Sequence, residues 1–180
     1  MSEYLAHEDA GRKALERNIL KHRAMLLARP TEKPFTPPGK QYVVFELAKE
    51  KFACDIAFSD EVIVVKSILT IPCTPQYIVG VLSLRGSLVT VIDLRYFFNM
   101  QEKTVLGSDR ALVIKNGDFR VALLTDDVVG LQYIAHDEIQ SNHTILYSFP
   151  KEHVSGINNE RTIILNPPSL FKREILEVNQ

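Results

Sequence analysis

A chain of 180 residues, 46% of them apolar, can bury a sizeable core and is too apolar to stay disordered. Its formal net charge of −1 leaves no electrostatic footprint for a nucleic acid or an anionic membrane surface. The start, MSEYLAHEDAGRK, lacks an apolar signal core, and no apolar run reaches the ~18 residues of a membrane-spanning helix, which predicts a soluble, cytoplasmic protein without direct membrane insertion.

Residues 1–29 read as one amphipathic helix, dense in Ala, Leu, Arg, Lys and Glu and free of proline. Leu15, Ile19 and Leu26, with Leu20 and Leu27 on adjacent rows, form its apolar face, and Arg12, Lys13, Glu16, Arg17, Lys21 and Arg23 lie opposite. Such a helix needs a surface for its stripe. That surface could be its own domain, a second copy, a partner or, more weakly since the apolar face lacks aromatic anchors, a membrane surface. Residues 30–40 carry Pro30, Pro34, Pro37 and Pro38, which a helix cannot cross, so a semi-rigid linker separates the helix from a domain over 41–176.

From Gln41 the period changes. QYVVFELA, KFACDIAF and EVIVVKSI are short runs of β-formers ended by polar residues, and Tyr42–Leu47 with Phe52–Ile56 predicts an antiparallel hairpin. IPCTPQYIVG is a proline-marked connector, after which VGVLSL and SLVTVI form two strands joined through Arg85-Gly86. Asp93 caps a single short helix carrying Leu94, Phe97 and Phe98 on one face. DRALVIKN and FRVALLTD are a hairpin turned by Asn116-Gly117. VVGLQYI, a segment around Gly156-Ile157 and RTIILN complete the strands, and NPPSLFKREI ends in a short helix or turn. Nine or ten short strands with frequent turn signals predict an all-β barrel or sandwich, with no internal repeat visible in the sequence.

Chemistry is absent from the pattern. The chain has no Walker loop, dinucleotide fingerprint or zinc-protease motif, so neither a cofactor nor a metal is expected. The adjacent carboxylates Asp126 and Asp127 would point to opposite faces of a strand, and read as a strand-end turn. The five histidines keep no ligand spacing with the cysteines, and His136 and His143 fall in a polar surface connection. Cys54 and Cys73, in apolar surroundings, read as buried free thiols. No serine sits in a nucleophile-elbow context. The strands carry few basic residues, against a nucleic-acid-binding barrel. The protein is expected to work by binding, not catalysis. Within that reading Arg85 is the puzzle, an always-charged fork between two apolar runs. Strand alternation sends Leu82 and Leu84 inward and Arg85 outward.

The stretch VLSLRGSLVTVIDLR, with SLRG at 83–86 and VIDLR at 91–95, resembles the signature of the CheW family of bacterial chemotaxis coupling proteins. The likeness extends through QYVVFELAKEKFACDI, EVIVV, TPQYIVGVLSLRG, FRVALLTDDV, HVSGI and RTIILN, and so covers residues 40–172. It implies an all-β fold of two intertwined five-stranded SH3-like barrels that share strands and pack through a common apolar core. It also implies a non-catalytic adaptor, coupling the cytoplasmic tip of a methyl-accepting chemoreceptor to the regulatory domain of a CheA-type histidine kinase. Its place would be at receptor arrays on the inner face of the membrane. The same interfaces would serve an output other than swimming, such as pilus motility, development or second-messenger control.

By the resemblance, Glu61 matches a third-strand Glu that lies close to the signature Arg, so a Glu61–Arg85 pair would hold the guanidinium in a groove between the barrels. Ser83 and Gly86 flank that Arg, and Ser59 stands where an apolar residue often lines the groove; these five residues are the expected partner-binding set. Gly80, Gly156 and the cap Asp93 are expected to be structural.

Overall fold

The computed structural model of the protein describes residues 39–100, 110–141, 148–172 and 175. The amphipathic segment 1–29 and residues 30–38 of the proline-rich stretch lie outside them, as does His143. Ten strands, two four-residue helical turns and one 3-10 turn are found among the described residues: β1 Lys40–Leu47, β2 Glu50–Asp55, β3 Ser59–Val64, β4 Ile78–Leu84, β5 Ser87–Ile92, a helical turn Leu94–Phe97, β6 Arg110–Asn116, β7 Phe119–Thr125, β8 Asp127–Ile134, the 3-10 turn His136–Glu138, β9 Val154–Ile157, β10 Ile163–Leu165 and a helical turn Pro167–Leu170. Among the described residues no helix is long and apolar enough to cross a membrane.

The strands form two five-stranded sheets, ordered β8-β1-β2-β10-β9 and β3-β6-β7-β5-β4. No strand is shared between them. The first is called here barrel A and the second barrel B. The two orders are the same pattern: a hairpin (β1–β2 or β6–β7) lies between the first strand of a consecutive triplet (β8 or β3) and its last (β10 or β5). Each barrel contains one parallel pair in the same place, β2 with β10 and β7 with β5. Both first-strand ladders are bulged at matching positions, between Val44 and Phe45 in A and between Ser59 and Glu61 in B. The fold is therefore an internal repeat that no sequence similarity announces.

Each sheet is then closed by a single residue beyond its first strand. Leu69 exchanges backbone hydrogen bonds of 2.8 and 2.9 Å with Val81 on β4, and Gln140 exchanges bonds of 2.8 and 3.0 Å with Ile157 on β9. A glycine stands at each crossing. A Cβ on Gly80 would fall on the Leu69 carbonyl, at a φ of +149° that disfavours side chains anyway. A Cβ on Gly156 would meet the Ile139 side chain and lie 3.0 Å from the Gln140 carbonyl. This crowding is the steric argument for a structural role of both glycines.

Strand alternation fills three cores. Val43, Phe45, Leu47 and Phe52 from barrel A meet Ile92, Leu112, Ile114, Val121 and Leu123 from barrel B in a common core, joined by Leu94, Phe98 and Phe149. Phe52 stacks on Phe45 and Phe98, and Phe149 meets Phe52 and Phe98 edge-on. The alternate residues Leu82, Val89, Val91, Ala111, Val113, Ala122 and Leu124 fill barrel B. Tyr42, Val44, Ala53, Ile134 and Ile164 fill barrel A.

The cysteine expectation needs one correction. Cys54 is buried in the common core, where desolvation pushes its thiol up to about 12. Cys73 is exposed, in the connector between β3 and β4, with a left-handed φ of +62°. Apolar neighbours in sequence did not bury it, because the proline-flanked connector runs over the surface.

Candidate functional site

The turn Arg85-Gly86 joins β4 to β5, and both residues have positive φ, +51° and +83°. Two left-handed residues in a two-residue hairpin match the twist of the flanking strands. Gly86 supplies this at no steric cost; nothing lies within 4 Å of where its Cβ would be, so turn geometry, not a close backbone approach, explains it. Arg85 faces out because it occupies the turn, while Leu82 is buried and Leu84 packs half-buried inside barrel B.

The expected pair is formed. Arg85 Nη2 donates to Glu61 Oε2 at 2.9 Å. Glu61 is register partner of Val113, one of the residues inside barrel B, so its carboxylate stands at the rim of that barrel. Since β3 and β4 are the two outer strands of their sheet, the ion pair bridges the barrel's open seam at one end. The Arg85 side chain is 79% exposed and that of Glu61 26%. In that setting the pair adds at most about 1 kcal/mol to stability. What it does supply is a fixed direction for an otherwise solvated guanidinium.

Ser83 is exposed and pairs with Leu88, itself among the most exposed apolar side chains at 76%. Ser59 is the first residue of β3, and its hydroxyl donates to the Asp55 carbonyl at 3.2 Å, which holds it in the β2–β3 turn. On the other face of β3, Asp60 accepts from Lys115 at 2.7 Å and Arg120 at 2.9 Å, and these bonds hold its carboxyl below the usual carboxylate range. Arg85, Glu61, Ser83 and Gly86 therefore cluster at one end of barrel B, with Ser59 two positions before Glu61 on the same strand.

Two exposed apolar strips, one on β3 and one on β8, were not singled out from the sequence. Val62 and Val64 on β3 are exposed, as are Val129, Leu131 and Tyr133 on β8. The strands occupy equivalent places in the two barrels, and each strip lies on the outer strand where the opposing sheet stops covering the common-core face. They meet at one ion pair: Arg110, register partner of Val64, binds Asp127, first residue of β8. The signal was in the alternation of VVGLQYI, but alternation shows which residues share a face and not whether that face is covered.

Asp93 caps its helical turn as expected, its side chain accepting from the Arg95 backbone N–H at 2.9 Å. The same carboxylate binds the Arg95 guanidinium, with Nε 2.9 Å from Oδ1 and 3.2 Å from Oδ2. Asp126 and Asp127 do diverge, one to Arg95 and the other to Arg110. His136 is exposed at the start of a 3-10 turn, His136–Glu138. His153, at the start of the β9 segment, is buried against Ser169, 2.7 Å from its Nδ1; desolvation pulls its pKa below the usual imidazole value.

The residues from 41 to 174 match the protein family described as CheW-like domain. The chain belongs to that family. Relatives within the CheW group include the chemotaxis protein CheW of Treponema pallidum, 25% identical over 144 residues that span 76% of this chain and 85% of the relative. The chemotaxis protein CheW of Klebsiella aerogenes is 27% identical over 129 residues, 71% of this chain and 78% of that one. Among solved structures, the crystal structure of the scaffolding protein TtCheW from Thermoanaerobacter tengcongensis superposes with a TM-score of 0.67 at 28% identity, covering 77% of this chain and 92% of that chain. The CheW-like assignment thus rests on the same residues that form the two barrels.

Proposed function

We propose that this chain is a non-catalytic adaptor of a bacterial chemosensory pathway, joining the helical cytoplasmic tip of a chemoreceptor to the regulatory domain of a CheA-type histidine kinase at receptor arrays. The observation that carries the reading is Arg85: an exposed cation held in one orientation by Glu61 at the rim of a barrel. An oriented arginine beside apolar side chains is a frequent interface anchor. The strips Val62–Val64 and Val129–Leu131–Tyr133 suit an amphipathic helix that lays its apolar face across them, with Arg85 taking an acidic group at its edge. Ser83, Gly86 and Ser59 border the anchor and would tune which partner fits. On this reading residues 41–176 are the adaptor domain, and the segment 1–29 with its hinge 30–40 is an appended tether or docking element.

Calorimetric titration tests the proposal. The full chain is titrated with the regulatory domain of a CheA-type kinase and, separately, with a receptor-tip fragment, alongside Arg85→Ala. Saturable binding that the substitution weakens at least roughly tenfold is the expected result. Absence of binding to both partners would sink the adaptor reading.

A further inference from the structure

Charged side chains are rarely buried without a task, and among the described residues one of the largest fully buried side chains is an arginine. The Arg95 side chain is 1% exposed. Beyond its bonds to Asp93 in barrel B, its Nη1 donates to Asp126 Oδ1 at 2.7 Å. Asp126 lies between β7 and β8, where the chain crosses from barrel B to barrel A. Its other oxygen accepts the Ala48 backbone N–H at 2.7 Å, and its own N–H donates to the Glu46 carbonyl at 2.9 Å, both in barrel A. One guanidinium therefore ties the Asp93 cap of one barrel to the β1–β2 turn of the other, through the crossover residue.

A desolvated ionic cluster adds little net stability compared with well-packed apolar side chains of the same volume, because the charges lose their hydration. Stability alone is thus a poor account of Arg95. Its geometry points elsewhere. The residue after Asp126 opens β8 and pairs with Arg110, the register partner of Val64. The crossover therefore leads directly into β8 and, through Asp127 and Arg110, reaches the end of the β3 strip.

We infer that Arg95 is a positioning residue for partner docking: through Asp126 it fixes the crossover between the barrels and thereby the spacing of the apolar strips on β3 and β8. The strips as a docking surface rest on the adaptor reading above; the spacing does not. A hydrophobic isostere at Arg95 leaves both barrel interiors filled, since they are separate apolar clusters, but strands the buried Asp93 carboxylate and frees the crossover to adopt more than one position.

The test measures spacing first and binding second. Spin labels are placed on Val64→Cys and Val129→Cys, two exposed positions, in a Cys73→Ser background that removes the exposed native thiol. Pulsed dipolar spectroscopy then compares wild type with Arg95→Met and with Asp126→Asn, which keeps an acceptor for Ala48 but removes the charge that holds Arg95. Circular dichroism reports folding. The expected outcome is a narrow distance distribution in the parent that broadens or shifts in the folded variants, and restoration toward the parent distribution in Arg95→Lys. With unlabelled protein, the same variants bind the receptor-tip fragment roughly tenfold more weakly. An unchanged distribution in folded Asp126→Asn would overturn the inference, whatever the binding result. If Arg95→Met fails to fold, Asp126→Asn alone decides. A parent protein that binds no partner, with the variants still broadened, would count against the adaptor reading and leave the positioning role standing.

Discussion

The two barrels share one strand plan and differ in how each ties its first strand to the far turn. In barrel B the tie is the ion pair from Glu61 on β3 to Arg85 in the β4–β5 turn; in barrel A it is a hydrogen bond from Gln132 on β8 to Glu160 in the β9–β10 turn, at 3.0 Å. Either arrangement bridges the seam. If bridging were the whole purpose, an exposed charge pair would have no advantage over the amide, since such pairs add little stability. The difference shows what barrel B presents at this tie and barrel A does not: an oriented cation.

The barrels also differ at their closing glycines, and this predicts the largest effect. Gly80→Ala should cost about 2–4 kcal/mol, since it combines a positive-φ position with a backbone collision that cannot relax by side-chain motion. Gly156→Ala should cost less, about 1–2 kcal/mol, because its φ is not left-handed and the nearest obstacle is a side-chain methyl of Ile139, with the Gln140 backbone carbonyl farther off at 3.0 Å. Chemical denaturation of both variants checks the order. Equal costs would mean that the two closures are mechanically alike.

A smaller effect comes from inside the barrels. Register places Ile163 against Phe52 in A and Thr90 against Val121 in B, so the preceding residues, Thr162 and Val89, are equivalents. Both are buried, and the Thr162 hydroxyl has no hydrogen-bond partner among the described residues. Thr162→Val should stabilise the protein by about 1 kcal/mol, because it removes a desolvated polar group at nearly constant volume. The reverse change, Val89→Thr, should destabilise by a similar or larger amount. A destabilised Thr162→Val in thermal unfolding would mean that the hydroxyl is satisfied in solution.

How much of this was legible beforehand follows from the physics of each signal. Hairpins and their turns were readable because period-two alternation and residues such as Asn116-Gly117 act locally; β6 and β7 meet at that turn. Arg85 was correctly sent outward, although the cause is its turn conformation and not strand alternation. Its partner Glu61, 24 residues earlier, came from family resemblance, since no local rule brings β3 against the β4–β5 turn. Arg95 was invisible as a buried residue because charge reads as exposure in any one-dimensional pattern. The internal repeat was hidden for a different reason. It resides in strand order and register, which tolerate nearly any apolar side chain, and only positions such as Gly80 and Gly156 constrain identity.

The most direct test replaces barrel B's ionic tie with an uncharged side-chain hydrogen bond. The double variant Glu61→Gln, Arg85→Gln keeps a side-chain hydrogen bond across the seam and removes both charges. Its thermal unfolding and its calorimetric titration with the kinase regulatory domain and the receptor-tip fragment are compared with wild type. Stability is expected within about 1 kcal/mol of wild type, with binding of at least one partner weakened roughly tenfold or more. Wild-type affinity for both partners in the doubly neutral protein would contradict it, and would reduce the Glu61–Arg85 pair to a seam.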